Sequence, residues 1–419
     1  MSLLGTGRTP QAGTTAEAEA LIAEARARAR RRRRRIAVAV LGAVAVAAGG
    51  LAAAGGFPGS RPAASARSRT AATAEPSGPP AYFLDATASH SPEIRVSATG
   101  TVVAPIPIGN VPALRGYDPP YGLAATGPGS FVVGMMTPSD CSTQFFRFRL
   151  NGQGRPGALT PVGPTLPGDL SSIAASAGGG LIAYEIDGDG CANARSLGSY
   201  LGVLDVSTGR TRQWTGVPRY SGQLSMSADG RLLAFSQSLT KPGADGGYQI
   251  TGYQVRALAT DAAPGTVAAH SRVAARISPE DSFFSPPTVL LSPAGTSFYL
   301  CTQPFALTKP GNNRVTETAT IVAYGTATGK PTRVVATWAA SYVNRTGYAP
   351  MALSCSSMAL DTSGRYLLVP YRQTFLHPGD EYSGGSLTVA RISIATGARS
   401  DWTLRYGERE DPGAMSIAW

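Results

Sequence analysis

Residues that perform chemistry at protein active sites are scarce in this sequence. Its 419 residues include four cysteines and three histidines, which are His90, His270 and His377. No two of them have the spacing of a zinc site. The sequence also lacks the Gly-x-Ser-x-Gly elbow of serine hydrolases and a glycine-rich phosphate loop between a strand and a helix. These absences favour a protein that is not an enzyme, and we expect no cofactor and no metal.

Charge is sparse outside one end of the chain. Charged residues make up 15% of the sequence, and the formal net charge is +11. Residues 1–80 contain 12 arginines and 4 glutamates, whereas residues 81–419 contain 25 basic and 22 acidic side chains. A nucleic-acid-binding domain would present an excess of basic side chains. Because the larger part of the chain is nearly balanced, we expect no nucleic-acid partner.

One long uncharged stretch covers residues 36–57. As a helix it would span about 33 Å, enough for a hydrocarbon core of about 30 Å. Eight arginines precede it directly, and such clusters stay in the cytoplasm. We therefore predict a cytoplasmic Arg-rich segment over 1–35, a single transmembrane helix over 36–57 and an extracytoplasmic remainder at the cell membrane. A cleavable signal peptide ending near Ala64-Ser65-Ala66 is the alternative.

The two flanks of this span differ in composition. Thr14 and Glu17 could form a capping box, which predicts a helix leading into the arginine run. The sequence EALIAEAR from Glu19, followed by the arginines, resembles the leaders of actinobacterial membrane proteins. Residues 58–80 are rich in Ala, Ser and Pro without apolar periodicity, so we predict a disordered linker there.

Glycine (50) and proline (32) are abundant, which is typical of a turn-rich β protein. One turn phrase is LSMSADGRLLAF at 224–235, whose glycine can take the positive φ of a tight hairpin. Its relatives lie at 290–299 and 358–368. A second phrase is LDVSTGR at 204–210. Its relatives lie at 96–100, 323–330 and 392–397.

The first phrase resembles the WD40-like repeat of TolB-type propellers, whose hallmark is Ser-x-Asp-Gly-Arg-x-Leu-Ala-Phe. The two phrases alternate, so each unit reads strand A, tight turn, strand B, longer loop, strand C, Thr-Gly turn and strand D. Four-stranded units that recur about every 50–70 residues indicate a β-propeller.

The number of units predicts how the ring closes. Complete units lie near 121–165, 170–217, 222–276, 287–339 and 351–405. Residues 82–108 supply strands B, C and D of one more unit, and residues 414–419 supply its strand A. Joining them closes the ring and removes the exposed edges. We therefore predict an all-β, six-bladed propeller over 81–419, with seven blades as the alternative if residues 240–280 hold a further unit.

Connections of unequal length separate the two faces of this ring. The A–B and C–D turns are short and share one face, which we name the turn face. The B–C and D–A connections are longer and share the opposite face, which we name the loop face. The long B–C loops lie at 137–144, 186–199, 238–249, 302–318 and 373–386, and the long D–A connections at 277–286, 340–350 and 406–413. Because the linker enters at strand B of the first blade, we expect the turn face to point toward the membrane.

All four cysteines fall on the predicted loop face. An extracytoplasmic compartment permits disulfides. Of the three possible pairings we predict Cys141–Cys191 and Cys301–Cys355, which join neighbouring blades. Free buried thiols are the alternative.

Other loop-face side chains are candidates for contact with a partner, because binding residues concentrate on loops. These candidates are Phe283, Phe284, Tyr342, Tyr348, His377 and Tyr382. The carboxylates of residues 185–190 could hold Ca²⁺, yet the later ligands of an EF-hand are missing, which favours a polar turn. Three tryptophans that follow Thr-Gly turns predict packing between blades. They are Trp214, Trp338 and Trp402.

Three functions are compatible with these features. The first is a binding, sensor or scaffold module that takes a protein or cell-envelope ligand on the loop face. The second is a propeller hydrolase or lactonase with a metal in the central channel, which needs several acidic, Asn or His side chains at the loop ends of the A strands. Those positions read mainly apolar or small. In the third, the domain supports the N-terminal helix as a signalling device.

Overall fold

The chain divides into two units, Met1–Ala74 and Glu75–Trp419, and every residue described below belongs to the second. The computed structural model describes residues 80–87, 90–107, 122–137, 141–187, 198–217, 222–242, 248–278, 287–302, 305–306, 314–343, 357–373, 386–404 and 416–419. The predicted cytoplasmic segment and membrane span fall outside these ranges, and so does the predicted linker apart from its last residue, Pro80. Within the ranges, no helix has the length and apolar character needed to cross a membrane.

Six antiparallel sheets form the domain, and we number them as blades 1–6. From its inner to its outer strand, blade 1 contains β26 (Ser416–Ala418), β1 (Tyr82–Thr87), β2 (His90–Val96) and β3 (Val102–Pro105). Blade 2 contains β4 (Gly122–Gly127), β5 (Ser130–Thr137), β6 (Ser142–Arg149) and β7 (Thr160–Pro167). Blade 3 contains β8 (Asp169–Ala175), β9 (Leu181–Asp187), β10 (Tyr200–Asp205) and β11 (Thr211–Thr215).

The remaining blades follow the same order. Blade 4 contains β12 (Ser225–Met226), β13 (Leu232–Pro242), β14 (Tyr248–Ala259) and β16 (Ser271–Ile277). Blade 5 contains β17 (Val289–Leu291), β18 (Ser297–Thr302), β20 (Arg314–Gly325) and β21 (Pro331–Val343), and β19 (Phe305–Ala306) also pairs with β20. Blade 6 contains β22 (Ala359–Leu360), β23 (Tyr366–Gln373), β24 (Ser386–Ser393) and β25 (Arg399–Leu404).

The apolar core consists of six clusters, one between each pair of neighbouring blades. Side chains of the middle strands alternate between two neighbours: in β9, Tyr184 faces blade 2 and Ala183 faces blade 4. Both faces of each sheet are therefore buried, which explains why these strands read as nearly continuous apolar runs. Trp214, Trp338 and Trp402 belong to such clusters and are at most 9% exposed, as the sequence predicted.

Blade 1 closes the ring from both parts of the chain, as predicted. Strand β26 pairs with β1 in the register Leu84↔Ala418. The indole N–H of Trp419 donates to Ser97 Oγ at 3.0 Å and to the carbonyl oxygen of Pro80 at 3.4 Å. Six sheets are present, and the seven-blade alternative is wrong because residues 248–277 complete blade 4.

A buried ionic cluster lies inside the closing blade. The Arg95 guanidinium binds Asp85 and Glu93, each at 2.6 Å, and donates to the carbonyl oxygen of Gly100 at 3.0 Å. Arg95 and Asp85 are 7% and 3% exposed. Removing one member would leave an uncompensated buried charge, so the cluster fixes how β1 and β2 pair.

Two features of blades 3 to 5 differ from the sequence prediction. The expected loops at 238–249, 302–318 and 340–350 are partly strand, because β13 pairs with β14 out to Pro242↔Tyr248 and β20 pairs with β21 out to Arg314↔Val343 and with β19. In addition, β15 (Gly265–Thr266) pairs in parallel with the outer edge of β11, followed by helix α1 (Val267–His270). The pairings of β20 with β21 and of β11 with β15 join segments that are distant in sequence, which local sequence does not encode. The β13–β14 extension is a local hairpin.

Candidate functional site

The A–B turns of blades 3 to 6 share one hydrogen-bond pattern. The hydroxyl groups of Ser176, Ser227 and Ser292 accept the N–H five residues later, at 2.9–3.1 Å. In blade 6, a carboxylate oxygen of Asp361 accepts the Tyr366 N–H at 2.8 Å. The fourth residue of each of these turns is a glycine with φ between 68° and 72°. The phrase found in the sequence therefore encodes a self-capped turn.

Neighbouring A–B turns are also joined to each other. The N–H of Ala177 donates to Ala228 O at 2.9 Å, and the N–H of Ala228 donates to Pro293 O at 2.8 Å. A Cβ added to Gly230 would lie 2.7 Å from a Leu181 methyl carbon in the preceding blade. The turns around the channel thus form a close-packed collar over blades 3 to 5.

A central cavity of about 120 Å³ runs between the six inner strands. Every blade contributes to its wall, and the side chains are mainly small or apolar: examples are Ala125, Ile173, Leu290 and Ile417. The inner strands are buried against their neighbours on both sides, which leaves little room for polar groups. The prediction that the A strands present mainly apolar or small side chains is confirmed for the described part of the channel.

Two polar side chains mark the ends of the cavity wall. At the loop-face end, the Gln223 amide exchanges hydrogen bonds with the main chain of Met358 in blade 6. At the turn-face end, Asp361 is 2% exposed and accepts the N–H groups of Arg365 and Tyr366 at 2.7 and 2.8 Å. The Asp361 carboxylate is therefore engaged by hydrogen bonds within its own A–B turn. Sequence reasoning missed Gln223, because a single glutamine before a strand has no local signature.

Carboxylates do not converge around the described part of the channel. Asp361 is the one acidic side chain among the described residues of its wall. Elsewhere in the described ranges, no three His, Cys, Asp or Glu side chains are grouped so that they could hold a metal ion. The described channel therefore does not supply the ligand set that the hydrolase alternative needs.

Two acidic side chains lie opposite each other at the loop-face end of blade 3. Asp169 pairs with Asp187 across β8 and β9, and the Ser199 hydroxyl donates to Asp187 Oδ1 at 3.0 Å. Burial, and then the charge of Asp187, raise the pKa of Asp169. Of the carboxylates considered for Ca²⁺, Glu185 is 5% exposed within β9, and residues 188–190 are not described.

Two tyrosines pack beside this acidic pair. Tyr184 and Tyr200 meet edge to face, with ring centroids 6.2 Å apart. The Tyr200 hydroxyl donates to Pro167 O at 3.3 Å. Burial, and then the neighbouring Tyr184, raise the pKa of Tyr200 to about 12. Both phenols are therefore neutral structural groups near pH 7.

The loop face is built up most strongly at blades 4 and 5. The β13–β14 hairpin and the β20–β21 pair extend toward this face with strands of 11 to 13 residues. The short strand β19 adds to the same region through Phe305↔Glu317. Paired strands hold a surface more rigidly than loops do, so this rim is pre-organised.

The structure locates part of the predicted contact set. Tyr342 lies in β21, opposite Val315, and the prediction that it sits in a D–A loop is wrong. The strand continues to Val343 because β20 extends equally far. The other candidates are outside the described residues, so their role stays a prediction. They are Phe283, Phe284, Tyr348, His377 and Tyr382.

Two of the four cysteines are described. Cys141 directly precedes β6, and Cys301 lies in β18 with 4% of its surface exposed. Neither is a free thiol. Cys191 and Cys355 are not among the described residues, so the pairing stays a prediction.

The sequence matches no family model, and a search of the curated proteins finds no match. TolB from Acinetobacter baumannii has a similar structure, with a TM-score of 0.44 and 11% identity over 80% of this chain and 65% of that chain. The protein assigned as TolB in Agrobacterium tumefaciens gives 0.42 and 12% over 80% and 96% of the two chains. The tricorn protease gives 0.39 and 10% over 79% and 33%. This chain thus spans less than two thirds of the length of the Acinetobacter protein. The six blades are established by the strand order within the six sheets of this chain.

Proposed function

We propose that the chain is a membrane-anchored, extracytoplasmic propeller that acts as a binding, sensor or scaffold module for a protein or cell-envelope ligand. The extended hairpins of blades 4 and 5 are the observation that supports this function best. They form a rigid rim on the loop face, whereas Pro80 and Trp419 meet on the turn face. A ligand on this rim would approach from the side away from the linker.

The sequence between the two hairpins supports the same position. The connection from β16 to β17 contains the candidates Phe283 and Phe284, and it joins blade 4 to blade 5. Aromatic side chains are enriched where proteins bind partners. Predicted cross-links between blades at Cys141–Cys191 and Cys301–Cys355 would stiffen the same face.

The competing function is an extracytoplasmic hydrolase or lactonase with a metal in the channel. The apolar wall of the described channel and the hydrogen bonds that already engage Asp361 favour a binding module instead. Metal analysis of the full chain, purified without chelator, separates the two. One tightly held transition metal or Ca²⁺ per chain would favour the hydrolase.

Site-specific photo-crosslinking in intact cells tests the binding function. A photoreactive residue replaces exposed Gln249 on the β14 hairpin or, as the matched control, exposed Thr208 in a turn-face turn. We expect discrete adducts from position 249 and none from position 208, with the melting temperature retained in both variants. Equal adducts from both positions, or adducts from position 208 alone, would refute a loop-face binding site.

Membrane anchoring is tested separately. We expect the chain to remain in the membrane fraction after alkaline extraction, and its propeller to be accessible to protease only from outside the cytoplasm. Release of the whole chain by alkali would argue against the anchor and leave the binding test intact.

A further inference from the structure

A basic side chain follows the turn glycine in five of the six blades. These pairs are Gly154-Arg155, Gly209-Arg210, Gly230-Arg231, Gly329-Lys330 and Gly364-Arg365. All five glycines have φ between 63° and 76°, and all five basic residues are exposed. The glycines sit in A–B or C–D turns, so the cations are distributed around the turn face.

The carboxylates among these turns are largely engaged within them. Asp229 accepts the Ser227 hydroxyl at 2.7 Å and the Arg231 N–H at 3.0 Å. Hydrogen bonds from Ser227 and Arg231 lower the pKa of Asp229. Its carboxylate is 3.8 Å from the guanidinium of Arg231, whose side chain is 88% exposed. The basic group remains open to solvent.

The connections that the sequence assigns to the loop face have the opposite charge balance. The eight long connections named in the sequence contain 12 acidic and 6 basic residues. The turns of the turn face contain the five basic residues above, against Asp205, Asp229, Asp261 and Asp361. In the adjoining strand ends Arg149, Arg272 and Arg333 are exposed, and Arg399 is paired with Asp401. The sequence therefore predicts a difference in net charge between the two faces, although residues 81–419 are nearly neutral in total.

We propose that the turn face is a docking surface for an anionic lipid bilayer. Basic groups spread over a broad face suit a layer of anionic headgroups, which attracts each nearby Lys or Arg. Pro80 lies on this face, and a linker over 58–80 would reach roughly 26 Å. The argument from the length of the linker rests on the proposed membrane anchor, whereas the argument from charge does not. Docking would hold the disc flat on the membrane, with the loop face outward.

The chain contains its own probe and control for this surface. Exposed Lys330 lies in a turn-face turn, and exposed Lys241 lies at the loop-face end of β13. The full chain is reconstituted into nanodiscs of phosphatidylcholine alone, or of phosphatidylcholine mixed with phosphatidylglycerol. The rate of lysine acetylation is then measured by peptide mass spectrometry. We expect a roughly three- to fivefold slower rate at Lys330 in the anionic discs and an unchanged rate at Lys241.

High salt and charge-removing variants test whether electrostatic attraction to the lipid causes the slower acetylation of Lys330. The slowing at Lys330 disappears in about 1 M salt, where the screening length is about 3 Å. It also disappears in the triple variant Arg155→Ser, Arg210→Ser and Arg231→Ser, but not in Arg276→Ser, an exposed residue near the loop face. The far-ultraviolet spectrum and melting temperature of each variant confirm folding.

Three outcomes would overturn this proposal. They are equal acetylation of Lys330 in both lipids, equal slowing of Lys241, and slowing of Lys330 by soluble heparin but not by anionic discs. The last outcome would identify a soluble polyanion as the occupant. Loss of the chain from neutral discs in high salt would refute the anchor instead, so the two failures are distinguishable.

Discussion

Gln223 in blade 4 is bonded to Met358 in blade 6, although blade 5 lies between them. Its Nε2 donates to Met358 O at 3.2 Å, and its Oε1 accepts the Met358 N–H at 3.4 Å. This single side chain bridges the loop-face end of the cavity and couples two blades that are not neighbours.

Replacing this side chain tests the bridge. Gln223→Ala removes both hydrogen bonds, and we expect it to lower the free energy of unfolding by about 1–2 kcal/mol. Exposed Gln249→Ala is the control and should change stability by less than about 0.5 kcal/mol. Urea unfolding measures both, and similar values for the two variants would show that the bridge adds no stability.

The Trp419 side chain secures the closing blade. Trp419→Ala empties a site that is 2% exposed, and we expect a loss of about 3–5 kcal/mol. Trp419→Phe retains much of the burial and should cost less. Val334→Ala, at a position 61% exposed, is the control. An unaltered melting temperature in Trp419→Ala would contradict a closing role.

Alanine variants of two turn glycines distinguish the stability lost to backbone strain from the stability lost to crowding between blades. Gly230 and Gly209 have φ of 72° and 69°, but a Cβ at Gly209 meets nothing within 4 Å. Each alanine variant should lose about 1–2 kcal/mol from its left-handed backbone. Gly230→Ala should lose more, because Leu181 must move. Equal losses by chemical denaturation would mean that the collar tolerates the methyl group.

The Asp169–Asp187 pair predicts a pH dependence. Because the native pKa of Asp169 is raised, the native state binds more protons than the unfolded state between the ordinary and raised values. Stability therefore falls as pH rises through that window, and the full penalty remains at pH 7. Asp169→Asn should stabilise the protein at pH 7, with a gain that shrinks as pH falls toward 3.8. Exposed Asp261→Asn is the control, and a gain independent of pH would exclude this cause.

The predicted disulfide pairing can be tested by peptide mapping. Peptide mapping without reduction should recover Cys141–Cys191 and Cys301–Cys355. Cys141→Ser should then release one alkylatable thiol, at Cys191. Recovery of a Cys141–Cys301 or Cys141–Cys355 peptide would show that the pairing is wrong.

The parts of this fold that sequence could predict are those with local causes. A self-capped turn such as 227–232 needs only its serine and its glycine, so blade number and strand order followed from such turns. The extension of β20 and β21 to Arg314↔Val343 and the parallel pairing of β15 with β11 depend on strands that are distant in sequence. Gln223 likewise acts only through Met358, which is 135 positions away. The basic turn-face pattern was visible in the turn phrases, but its meaning required knowing that those turns share a face.

The origin of blade 1 has a consequence for biosynthesis. Three of its strands are made from residues 82–105, but its inner strand consists of Ser416–Ala418. During synthesis, β1 must wait with an unpaired edge while five other blades emerge, and ring closure is the last and longest-range event. A chain terminated before residue 416 would leave Leu84 uncovered. An incomplete ring therefore exposes the inner edge of β1, which the completed ring pairs with β26.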